Sequence, residues 1–98
     1  MKQIEEVING TTNTDELFEI GHKYMASGNY DIAFKAFAKA KSLGNVKSIT
    51  GLGILIASGR YGKKYPPSVG IAYFEEAVSK GDNQAKELLE FYKQEVHH

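Results

Sequence analysis

His22 is the first residue to weigh for chemistry, because imidazole is the side chain whose ordinary pKa lies near neutrality. It is the one internal histidine, and no acid or nucleophile accompanies it at a spacing that would make a catalytic pair. Glu75 and Glu76 are adjacent, so on a helix they point in different directions rather than converging. His97 and His98 close the chain; they read as a native end or the remnant of a purification tag, and two histidines on a frayed end hold a metal poorly. There is no cysteine, which removes disulfides and thiolate metal sites. The run Arg60-Tyr-Gly-Lys63-Lys64-Tyr65 mixes cations and rings, a combination that can hold phosphates or single-stranded nucleic acid. Its glycine spacing is not that of a phosphate-binding P-loop, and Gly51-Leu-Gly53 lacks the third glycine of a dinucleotide fingerprint. These residues predict no enzyme, no cofactor and no metal.

The remaining chemistry is recognition, and composition narrows it. Lys plus Arg and Asp plus Glu both number 12, so the net charge is zero and no bulk attraction to nucleic acid or an anionic membrane is expected. Ninety-eight residues suffice for one domain. The start, MKQIEEVING, has acidic Glu5 and Glu6 and no long apolar run, unlike a secretory leader. A soluble cytoplasmic protein is the expectation.

The elements that must carry any binding surface are helical. Ile49–Gly59, ITGLGILIASG, is apolar on nearly every side, and at eleven residues it is too short to span a bilayer. It belongs in the middle of a helical stack. Before it, residues 2–9 form a short stripe through Ile4, Val7 and Ile8, a lid for one end of the stack. A helix from about Asp15 to Ser27, capped by Asn13 or Thr14, presents Leu17, Ile20, Gly21 and Tyr24. The next, Tyr30 to Leu43, presents Ala33, Ala36, Phe37 and Ala40 and stops at Gly44. After the central helix, Gly59–Ser68 is a loop with two prolines. Ser68 is the expected cap of a helix to Lys80 with Gly70, Tyr73, Phe74 and Ala77 on its face. Asp82 or Asn83 caps a last helix to Val96, with Ala85, Leu88, Leu89 and Tyr92 inward.

The chain also repeats itself. MASGNY (Met25–Tyr30) matches IASGRY (Ile56–Tyr61). Ala33, Ala36, Phe37, Ala40 and Gly44 match Gly70, Tyr73, Phe74, Ala77 and Gly81 at a constant offset of 37. The first helices align at 31–32, so the second unit carries five or six extra residues in its loop. Gly21 and Gly53 are expected where two helices approach closely, opposite Ala33 and Gly70, with Phe37 and Phe74 filling the space beyond.

These units resemble the tetratricopeptide repeat. Leu17, Ile20, Gly21, Tyr24, Gly28, Tyr30, Ala33, Phe37 and Ala40 stand at the signature positions of the first. The second is similar to the Sel-one-like subclass, through Leu52, Gly53, Leu55, Ile56, Gly59, Tyr73, Ala77, Gly81 and Ala85. The resemblance implies an all-α fold, a short α-solenoid of about six helices. Residues 2–9 would be an N-terminal capping helix, 14–45 the first repeat, 46–82 the second and 83–96 a C-terminal cap. Glu90 takes the place of Gly21 and Gly53, as suits a last helix with nothing packed beyond it.

In that family peptides bind the concave face lined by the first helix of each repeat. Carried over position by position, the groove residues are Phe18, His22, Met25, Lys47, Ile54 and Phe91, with Asp15, Ala26, Thr50, Ala57, Ser58, Glu87 and Gln94 around them. The lysine and asparagine that hold a chain-terminal carboxylate in some members are replaced by Phe18 and His22. The resemblance therefore implies a protein-binding adaptor or small inhibitor that takes a peptide or helix, with no membrane role. The alternatives are a nucleic-acid or phosphate ligand on Arg60, Lys63 and Lys64, and a homodimer formed through apolar ends.

Overall fold

Asparagine and glycine divide this chain into helices. In the computed structural model, which describes residues 3–62 and 64–96, six helices follow one another: α1 Ile4–Gly10, α2 Thr14–Ala26, α3 Tyr30–Ser42, α4 Val46–Ala57, α5 Pro67–Ser79 and α6 Asn83–Val96. The expected helix start at residue 2 and the His97–His98 end lie outside the described residues. Asn13, Asn29 and Asn45 each accept, through the side-chain oxygen, an amide N–H from the first turn of the following helix, at 3.1, 3.4 and 2.9 Å. Asp82 does the same for Ala85 at 3.1 Å. Such caps satisfy amides that have no partner inside the helix.

Three of these residues do double duty. The backbone N–H of Asn29, Asn45 and Asp82 donates back to Tyr24, Ala40 and Ala77, at 2.9, 3.0 and 3.0 Å, closing the helix before. That closure needs the preceding residue in the left-handed region. Gly28, Gly44 and Gly81 supply it, with φ of 85°, 94° and 94°. One residue thus ends a helix and starts the next, and the connections are short. The fifth helix departs from expectation: its N-cap is Pro66, with Pro67 at the first helical position, and Ser68 lies inside the helix. Proline's fixed φ suits that position, and its missing N–H costs nothing there.

The helices form antiparallel hairpins, α2 with α3 and α4 with α5, and α6 closes the second. In one layer α2 packs on α4 and α4 on α6; α3 and α5 form the other, joined through Lys41, which reaches Glu76 at 3.6 Å and lies 5.8 Å from the Tyr73 ring centre. The α2–α4–α6 layer, whose helices touch in succession, is termed the inner layer. α1 packs chiefly on α3. Among the described residues no helix is long and apolar enough to cross a membrane.

The core is a series of small clusters, each shared by neighbouring helices. Ile8, Leu17, Ile32, Ala36 and Ala40 join α1, α2 and α3. Met25, Ala33, Phe37, Leu52 and Leu55 join α2, α3 and α4. Ile49, Ala57, Phe74, Ala77 and Ala85 join α4, α5 and α6. No hairpin buries its own apolar face, so each unit needs the next.

The expected glycine contacts gain a member. A methyl group at Gly21 would first strike the ring of Phe37, and one at Gly51 would meet the same ring at 2.7 Å. Phe37 is therefore clamped between two glycines, one on each helix beside it. Gly53 makes room for Phe74, with the carbonyl of Gly70 close by, while Gly70 itself lies against the Ala57 backbone. Beyond Phe74 the clamp changes: Tyr92 of α6 stacks on it, with centroids 5.6 Å apart and planes at 22°.

Candidate functional site

The central helix α4 decides what the inner face can show. From Ser48 to Ala57 every residue is buried except Ile54, which is half-exposed. A helix apolar all round spends its other faces on α2, α3, α5 and α6, so one isoleucine reaches outward. Ile54 packs against both the second and third clusters.

On α2, one turn separates Phe18 from His22, and both are half-exposed. Their rings meet edge to face with centroids 4.5 Å apart, and His22 lies edge-on to the buried Phe37 at 5.3 Å. Partial burial holds the His22 pKa below its ordinary value, because water is withdrawn from the charged form. A neutral imidazole fits an apolar strip. On α6, Phe91 is 56% exposed, with its ring edge-on to Tyr92. Lys47 is exposed in the first turn of α4.

Met25 is placed otherwise. It is 7% exposed and belongs to the second core cluster, so it supports the face from beneath. Thr50 and Ala57 are also buried, in the seams between helices. Thr50 Oγ1 donates to Asp82 Oδ2 at 2.6 Å, which fastens α4 to the start of α6.

The basic loop folds back on α3. The Tyr61 hydroxyl donates to Asp31 Oδ1, and Lys64 pairs with the same carboxylate at 3.5 Å while lying 5.8 Å from the Tyr61 ring centre. The Tyr61 bond and the Lys64 charge hold the Asp31 pKa low; burial and the Asp31 carboxylate push the Tyr61 phenol up to about 12. Phe34 stacks on Tyr65 at 5.4 Å, and Tyr61 meets both rings edge-on. Arg60 is exposed at the edge of an open cleft of about 780 Å³ between this loop and the Ser27–Asp31 turn. Lys63 lies outside the described residues. An anion at Lys64 would sit beside the ionised Asp31.

Sequence reasoning missed Asp31 and Phe34 as partners of the loop, and Lys39, which donates to the Ile8 and Asn9 carbonyls at 2.7 Å each. One signal was available. Tyr30 and Tyr61 hold matching places in consecutive units, and matching places in a stack are neighbours; their rings are 6.4 Å apart. No protein-family model, curated protein or solved structure matches this chain.

Proposed function

We propose that this chain is a cytoplasmic protein-binding module of the tetratricopeptide and Sel-one-like type, an adaptor or small inhibitor that takes a peptide or helix of another protein on its α2–α4–α6 face. The observation that carries the reading is the strip of Phe18, His22 and Ile54, half-exposed on adjacent inner helices, with Phe91 exposed on the third. α1 packs on α3 and belongs with the outer layer. Apolar side chains left together on one face mark interaction surfaces, and a partner that buries them gains affinity without a charged site. His22, neutral beside Phe18, and Lys47 at the rim supply polar specificity. The reading assigns no catalysis: His22 faces two phenyl rings, and a general base needs a proton donor or orienting acid within reach.

The test is a paired capture from the source cell. One bait is the full chain; the other carries Phe18→Glu and Phe91→Glu, with circular dichroism verifying that both are helical. A protein retained by the first and lost by the second supports the face. Two folded baits that retain the same set overturn it.

A further inference from the structure

At one end of the inner face lies a second cleft, of about 580 Å³. Phe18 and Val46 form its apolar wall, and Lys47 and Lys80 stand beside them. Among the described residues neither lysine is in an ion pair, as is true also of Lys23, Lys86 and Lys93, while Lys35, Lys41 and Lys64 are paired. Glu76, one turn before Lys80, is held by Lys41. Asp82 also lines the cleft, but both its oxygens are engaged, one by the Thr50 hydroxyl and the other by the Ala85 amide. The lining thus sets two ammonium groups against one committed carboxylate, in a chain whose net charge is zero.

We propose that the partner segment enters this cleft with an acidic side chain, Asp or Glu, placed next to a large apolar one. The apolar side chain covers Phe18 and Val46, and the carboxylate meets Lys47 and Lys80. The inference rests on the protein-binding reading and deepens it by naming the partner's chemistry. Phe18 is shared by the cleft and by the Phe18–His22 step, so a bound segment continues along the face toward Ile54. Exposed ion pairs add little affinity each, so this contact fixes register and selects partners more than it tightens them.

The experiment is selection of a phage-displayed library of random dodecapeptides on the full chain, with binding of each selected peptide remeasured against variants. Lys47 and Lys80 are exposed, so K47E/K80E is expected to fold as the parent does. The proposal expects selected peptides to carry Asp or Glu beside a large apolar residue. It expects K47E/K80E to weaken them about tenfold and added salt to weaken the parent's binding but not the variant's. Replacing the peptide acid with Lys should restore binding to K47E/K80E. Peptides that are lost with Phe18→Glu yet show no acid and no response to K47E/K80E overturn this inference and leave the face intact. Peptides indifferent to Phe18→Glu, or no peptides at all, overturn both.

Discussion

Phe37 shows how little freedom a core residue has in so thin a stack. Its ring is fully buried, with Gly21 on one side and Gly51 on the other. Gly51→Ala gains about 1 kcal/mol in helix propensity, but its methyl meets a ring that has nowhere to retreat, an overpacking cost of about 1–3 kcal/mol. The expected outcome is a net loss of about 1 kcal/mol in urea unfolding. Gly10→Ala, where a methyl meets nothing within 4 Å, should be neutral or better. His22 makes a second prediction at this scale. Its folded pKa lies below its ordinary value of 6.5, so the unfolded chain binds the proton more readily. Stability is then full above the unfolded value and falls as pH drops through 6.5 toward the lower folded value. The urea midpoint should fall between about pH 7.5 and about pH 5.5, and His22→Gln should flatten that slope. An unchanged slope in the variant would mean that His22 is not the group responsible. The glycine periodicity that points to Gly21 and Gly53 was readable in the sequence. So was the packing of Gly53 against Gly70 and Phe74; the Gly51 contact was not, because it belongs to a third helix packed against the first hairpin.

At the scale of the element, α1 is the least self-sufficient part. Seven residues are too few for a helix to stand alone, so its docking determines its existence. Ile8 is buried against α2 and α3, and Lys39 closes the open carbonyls of its last turn. Lys39→Met keeps the stem and removes the ammonium, and should cost about 1–2 kcal/mol locally. Hydrogen exchange should show α1 amides losing protection while α3, α4 and α5 keep theirs; uniform loss would show that α1 is integral to global unfolding. Helix boundaries were largely legible, because Asn13 and Asp82 announce starts and the glycines announce ends; the caps at Asn29 and Asn45 went unread. The start of α5 was misplaced because Pro67 outcompetes Ser68 for control of the first turn. The Asp31–Tyr61–Lys64 latch left no local trace, since its members lie 30 and 33 residues apart.

The whole molecule has a Cα radius of gyration of 13.1 Å and extents of 47 × 29 × 17 Å, close to the size expected of a compact domain of this length but drawn out along one axis. That slab is the shape of a few stacked hairpins, and it gives a small chain a broad inner face. All-helical stacking was legible from the repeat. What the sequence offered for a binding face can be compared with burial alone: Phe18, His22, Ile54, Lys47 and Phe91 are accessible, whereas Met25, Thr50 and Ala57 are buried between helices. The central claim is that this face is where a partner binds. Its most direct test is amide chemical-shift mapping of the isotope-labelled chain titrated with a selected peptide. The account predicts shifts confined to α2, α4 and α6 around Phe18, His22, Lys47, Ile54 and Phe91, with Arg60–Tyr65 silent. Shifts centred on Tyr30, Asp31 and Tyr61 instead would contradict it and move the site to the cleft on the opposite turns.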